Sequence, residues 1–158
     1  MRKEAPSTND QVIDSRDVIE RIEELEGEKE ALADAVSEAQ DALDEAGDLA
    51  ENLTELQATA EAADTALDEW DQSDEGQELK ALLALQDEAE GYSSDWKYGA
   101  TLIREDYFPE YCQELVSDIG DLPKDIPGYL VIDWDKTADN LKADYTEVDF
   151  DGTTYLVR

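Results

Sequence analysis

Past a polar opening, the chain settles into a helical rhythm. Val18, Ile22, Leu25, Lys29, Leu32, Val36, Ala39, Leu43 and Ala46 follow one another in alternating steps of four and three. That spacing stacks side chains on one face of an α-helix. Lys29 is the one polar member of the stripe. A second stripe with the same steps runs through Leu49, Leu53, Leu56, Ala60, Ala63, Leu67 and Trp70. Between them, Leu43, Ala46 and Leu49 are separated by two consecutive steps of three, a phase slip that falls at Gly47.

Two structures produce such a slip. A single long helix carries it as a stammer. A helix hairpin turns there instead, with Gly47 as the left-handed C-terminal residue, Asp48 as the next N-cap and Glu51 at the capping-box position. The hairpin is favoured, because a lone helix of this length leaves its apolar stripe in water. A dimeric coiled coil would also cover the stripe, and Ala39, Ala46, Ala60 and Ala63 allow close helix approach in either case. Residues 71–76, DQSDEG, read as a turn. A third helix is expected over 77–90, burying Leu79, Leu82, Leu83, Leu85 and Ala89.

The pattern then shortens. Trp96, Tyr98, Ala100 and Leu102 alternate, which predicts a strand. Asp106 is placed to cap a helix carrying Tyr107, Tyr111, Leu115 and Ile119, with Pro109 in its first turn and Gly120 at its end. A loop through Pro123 and Pro127 leads to a short strand over Tyr129–Ile132. Asp133 caps a further helix on which Trp134, Ala138, Leu141 and Tyr145 share a face. Val148 and Phe150, then Asp151-Gly152, then Tyr155 and Val157 predict a hairpin with a type I′ turn. The expected fold class is therefore α+β. A disordered N-terminus (1–10) precedes an acidic helical arm (11–91), either a hairpin or a coiled coil. A small α+β domain with a C-terminal β-hairpin follows (92–158).

Charge changes this picture more than any motif. Among 158 residues, Asp and Glu number 44 against 12 Lys and Arg, a net charge of −32. The imbalance is uneven: residues 1–91 carry −23 and residues 92–158 carry −9, while all seven tyrosines lie from Tyr92 onward. Direct nucleic-acid binding is excluded, because it needs a basic footprint. An anionic membrane surface is repelled likewise. A basic partner is attracted, and steering raises its on-rate ~10- to 1000-fold. Solubility alone needs only ~2–8 net charges. The apolar fraction of 41% and its periodicity argue against general disorder. The uneven spread argues against salt adaptation.

Catalytic chemistry has little to work with. Histidine is absent, which removes the commonest general base and transition-metal ligand. Cys112 is the single cysteine. It forms no intrachain disulfide, and its place beside Tyr111 on an amphipathic helix reads as a buried structural thiol. The string Glu147-Val-Asp149-Phe-Asp151-Gly152 resembles the start of an EF-hand loop. Its twelfth position is Arg158, where a bidentate Glu is required, so the strand reading is preferred. The expectation is no enzyme activity, no metal and no cofactor. With neither a signal-peptide core nor an apolar run long enough for a membrane span, the expected location is the cytoplasm of the host cell.

The arm carries the functional meaning. From Glu30 to Glu78 there are 17 acids in 49 residues, and no base lies between Lys29 and Lys80. As helix, that path is ~73 Å, or one charge per ~4 Å, against ~3.4 Å per phosphate of one DNA strand. Folded in two, it gives one charge per ~2 Å, near the ~1.7 Å of the duplex. The candidate partner-binding residues are Asp34, Glu38, Asp41, Asp44, Glu45, Asp48, Glu51 and Glu55, with Asp64, Asp68 and Asp71 as a second cluster. An ordinary solvated helix face mixes Lys with Glu to gain i,i+4 pairs; this one does not.

The segments DYFPEYCQELVSDIG and IDWDKTADNLKADYTEVDFDGTTYLVR resemble phage and prophage antirestriction proteins, and more distantly the C-terminal part of the ArdA type. The matching elements are Ile132-Asp133-Trp134, the helix through Ala138 and Leu141, Asp144-Tyr145, and the Asp149–Tyr155 hairpin. The resemblance implies an elongated, dimeric DNA mimic that inhibits type I restriction enzymes. The chain departs from that type in having an Ala/Glu/Asp-rich arm in place of its N-terminal domains. The expected function is an anti-defence protein whose acids occupy the basic DNA-binding groove of a host restriction enzyme or CRISPR effector. The alternative is a scaffolding coiled-coil protein that binds through its apolar stripe.

Overall fold

The computed structural model describes residues 4–158, and the protein is α+β. Among the described residues the order is β1 (Val12–Asp14), α1 (Ser15–Ala46), α2 (Leu53–Gln72), α3 (Asp74–Glu90), α4 (Trp96–Gly99), β2 (Thr101–Arg104), a 3-10 turn (Glu105–Tyr107), α5 (Phe108–Asp118), α6 (Trp134–Lys142), β3 (Thr146–Phe150) and β4 (Thr153–Val157). Two compact units result. One joins the described residues up to Ile19 with Ala84–Arg158, and the other is Glu20–Leu83. The boundaries lie inside α1 and α3, not at Gly91 where the composition changes. No described helix is long and apolar enough to cross a membrane.

The first unit is built on an antiparallel sheet in the order β1-β2-β4-β3. Ile103 lies opposite Leu156, and this face closes on Phe108, Cys112 and Ala138, with Tyr107, Tyr111, Leu141 and Tyr145 packed around them. Phe108 and Tyr145 meet edge to face, centroids 5.0 Å apart, a favoured aromatic geometry. Burial pushes the Cys112 thiol up from its ordinary value, away from the reactive thiolate. The opposite sheet face carries Leu102, Val148, Phe150, Tyr155 and Val157. Tyr155, Leu156 and Val157 are all fully buried, so β4 is covered on both sides and shows no polar alternation. The hairpin turn has Asp151 at φ 47° and Gly152 at φ 81°, the double left-handed conformation of a type I′ turn. The EF-hand-like string is this strand and turn, with Asp149 Oδ2 accepting from Gly152 N–H at 3.1 Å.

Several expectations are corrected here, some of them because a distant partner decides the local conformation. The arm helix does not start at residue 11: Val12–Asp14 is a strand whose Ile13 lies opposite Leu102. Residues 4–10, expected within a disordered terminus, include a turn in which Ser7 N–H donates to Asp10 Oδ2 at 2.8 Å. The Tyr155 hydroxyl donates to Asp10 O at 2.6 Å, and the Arg104 guanidinium to Asn9 O at 3.0 Å. Met1–Lys3 of that expected terminus lie outside the described residues. Trp96–Gly99 is a helical turn rather than a strand. The buried Ser15 hydroxyl organises it, donating to Trp96 O at 2.6 Å and accepting from Ala100 N–H at 2.7 Å. Asp106 pairs with Arg104 and does not cap α5. Tyr129–Ile132 forms no strand. Asp133 does cap α6, accepting from Lys136 N–H at 3.1 Å.

In the second unit, α1 stops at Ala46 and Gly47 takes φ 71°, the left-handed conformation that ends helices. Asp48 and Glu51 form no capping box. Helix α2 begins only at Leu53, with Asn52 before it and no side-chain cap. Leu49, assigned to the second apolar stripe, lies in the intervening turn and is 98% exposed. Ile22, Leu25, Ala39, Ala60, Leu79 and Leu82 are buried. The expected turn over 71–76 shrinks to Ser73. Its hydroxyl donates to Trp70 O at 2.6 Å and accepts from Gly76 N–H at 3.2 Å, so one residue closes α2 and caps α3. Gly76 is buried against this corner, and a Cβ there would overlap the Trp70 carbonyl oxygen.

Gly76→Ala is therefore expected to destabilise the protein by ~1–3 kcal/mol in chemical denaturation. Gly27→Ala, mid-helix with nothing within 4 Å of its Cβ position, is expected to stabilise by up to ~1 kcal/mol. Equal effects of the two would contradict the close approach at Ser73.

Tyr155 gives a pH prediction. Burial pushes its phenol up to about 12 from 10.0, against the lowering effect of Arg104. The neutral form is thus favoured in the fold. Its contribution is complete below pH 10 and is lost as pH rises through about 12. Tyr155→Phe should cost ~0.5–1.5 kcal/mol at neutral pH. The gap between wild type and variant should close over that alkaline window, measured by denaturant midpoints at each pH.

Candidate acidic interaction face

Helix α1 presents Asp34, Glu38, Asp41 and Glu45 at steps of four, three and four, and Asp44 one turn after Asp41. Asp48 and Glu51 follow in the turn, and Glu55, Asp64 and Asp68 on α2. All ten carboxylates are exposed, and none makes an ion pair among the described residues. The arrangement follows from the apolar stripe. With the stripe facing inward, positions one and two residues removed from it must face water.

Asp71 is different. Its carboxylate lies 2.8 Å from Lys29 Nζ. The single polar residue of the first stripe thus links α1 to the C-terminal end of α2, and Asp71 is already engaged. Arg21 makes the companion link between α1 and α3. Its Nε and Nη2 donate to the two Glu78 carboxylate oxygens at 2.8 Å each, and Nη1 reaches Glu24 at 3.0 Å. Hydrogen bonding to Glu78 raises the guanidinium above its ordinary range. Both links sit at the end of the unit away from the Gly47–Asn52 turn. Glu61 and Glu69, which the sequence reading did not select, are exposed acids on α2; Glu61 stands three residues before Asp64, so the same spacing marks it.

The charge placement runs against helix electrostatics. A helix C-terminus carries partial negative charge, and acids there cost ~0.3–1 kcal/mol each at low salt. The last turns of α1, α2 and α3 contain no basic residue. They hold instead Asp44 and Glu45, then Glu69 and Asp71, then Asp87, Glu88 and Glu90. Of these, Asp71 is relieved by Lys29, and Glu90 lies 3.8 Å from Lys97. Asp44 and Glu45 have no such relief. Comparison of the chain with protein-family models, curated proteins and solved structures found no match.

The two links should differ in strength. The Arg21–Glu78 pair is bidentate and mostly covered, and Lys29–Asp71 is a single contact with both side chains more than a third exposed. Arg21→Ala should cost ~1–3 kcal/mol, and Lys29→Ala less than ~1 kcal/mol. Urea midpoints of the two single variants check the order.

Proposed function

We propose that the protein is a non-enzymatic, DNA-mimicking inhibitor. Its acidic helices, read as an antiparallel hairpin turning at Gly47–Asn52, occupy the basic DNA-binding groove of a host restriction enzyme or CRISPR effector. The observation that carries this reading is the run of unrelieved acids through the end of α1, where Asp44 and Glu45 oppose the helix dipole. A local arrangement that costs stability and has no structural partner marks a functional surface. Arg and Lys that hold phosphates form charge-assisted hydrogen bonds with carboxylates equally well. The scaffolding alternative would use the apolar stripe, of which Ile22, Leu25, Ala39 and Ala60 are buried and Leu32, Val36, Leu43, Leu53, Leu56 and Leu67 are half-buried. The ten acids are more exposed than the stripe, which favours the charged face.

The stability cost supplies the test. Asp44→Asn with Glu45→Gln should raise stability by ~0.3–1 kcal/mol per site and weaken partner binding. Either single change should alter binding by less than ~1 kcal/mol. Neutralising five or six of the ten exposed acids should abolish inhibition, and duplex DNA should compete with the wild-type protein for the captured enzyme. Binding should weaken as salt shortens the ~8 Å screening length. A captured partner that binds the neutralised arm as well as wild type, with DNA saturating, would overturn the reading.

A further inference from the structure

After α5 the chain runs from Ile119 to Asp133 without regular secondary structure. Within it, Tyr129, Leu130 and Val131 are 83%, 56% and 90% exposed. Three consecutive apolar side chains in water disfavour a folded surface unless they serve a function. Their exposure alternates: Tyr129 and Val131 stand out, and Leu130 and Ile132 are more covered, the two-residue period of a strand. Tyr, Val and Ile are strand-forming residues. The backbone nevertheless makes no ladder pairing, and Tyr129 lies in a turn. Leu130 N–H donates to Pro127 O at 2.9 Å, and no backbone hydrogen bond from Val131 or Ile132 is made among the described residues. The chain's own sheet offers this segment a poor edge: β3 carries Glu147 and Asp149, and Glu88 already caps Asp149 N–H at 3.1 Å.

We infer that Tyr129–Ile132 is a recognition strand that adds to the open sheet edge of a basic partner protein, with Tyr129 and Val131 entering apolar pockets there. Strand addition takes affinity from main-chain hydrogen bonds and specificity from alternate side chains, and this segment offers both. Charge selects the partner. Asp121, Asp125, Asp133 and Asp135 outnumber Lys124 and Lys136 around the strand, and residues 92–158 carry a net −9, so a second copy is repelled and a basic surface is attracted. The inference does not depend on the acidic helices, which belong to the other unit.

The test places photoreactive benzoylphenylalanine at position 131 of the full-length protein in its source cell. The same group at position 98 is the control, since Tyr98 is 80% exposed in the same unit. A basic protein crosslinked at 131 and not at 98 is then purified. Val131→Asp and Tyr129→Ser should each weaken its binding about tenfold or more with unchanged thermal midpoints, as both side chains are exposed. The Val131 and Ile132 amides should gain hydrogen-exchange protection in the complex. Adducts no different from the position-98 control, capture of a second copy or of an acidic protein, or amides that exchange as fast as in the free chain would each overturn the inference. A chain with its arm acids changed to amides separates the two readings. Retained crosslinking at 131 supports the strand whatever becomes of DNA mimicry. Loss of binding on neutralising the arm, with none on changing Tyr129 or Val131, does the reverse.

Discussion

Like-charge repulsion is the constraint that this fold has to satisfy first. With 44 acids against 12 bases, every cation counts, and several of those described are placed where separate elements must meet. Arg21 joins α1 to α3, and Lys29 joins α1 to α2. Lys142 on α6 bridges Glu105, before α5, and Glu147 on β3 at 2.6 and 2.7 Å. Arg104 on β2 holds Asp106 and the Asn9 carbonyl together. The bases neutralise joints, and the ten exposed candidate acids from Asp34 to Asp68 make no ion pair among the described residues. Exposed pairs of this kind are individually weak. Their arrangement matters because it decides which carboxylates stay free.

The sheet meets the same constraint differently, by covering both its faces. Its central strand β4 presents three consecutive buried residues, and its hydroxyl-bearing member, Tyr155, holds the N-terminal segment by a hydrogen bond to Asp10 O. Trp96 shows the limit of that economy. It is 2% exposed and its indole N–H has no hydrogen-bond partner among the described residues. An unpaired buried donor costs ~1–3 kcal/mol, which the burial of so large a ring offsets.

What could be read from the sequence divides along the range of the interactions concerned. The Asp151-Gly152 turn, the Asp133 cap, the helix end at Gly120 and the break at Gly47 rest on residues within a few positions of one another, and each is where the pattern placed it. The α1 stripe held because seven-residue periodicity is local too. By contrast, β1 exists only because β2 lies beside it, and Trp96–Gly99 coils because Ser15 reaches it across 81 residues. Residues 7–10 close a local turn, but what docks them is Tyr155, which reaches Asp10 O across 145 residues, and Arg104, which reaches Asn9 O across 95. The slip at Leu49 shows a different failure: spacing carried the stripe through a turn in which periodicity has no meaning. For the acidic face, exposure followed directly from the apolar stripe, and the engagement of Asp71 by Lys29 did not, since it needs the path of α2.

The turn between α1 and α2 bears on how this protein can vary. From Gly47 to Asn52 it is mostly exposed, and no atom lies within 4 Å of a Cβ built on Gly47. Both flanking helices repeat their apolar positions every seven residues. A duplication of seven residues on each side would therefore keep the buried stripe in phase. It would lengthen each helix by ~10 Å and leave the Ser73 corner, the Arg21 and Lys29 links and the sheet untouched. Loop tips tolerate insertion for this reason. The acidic surface can thus be lengthened or shortened like a ruler cut at its free end, and a lineage could match it to targets of different size without redesigning the part of the molecule that holds the chain together.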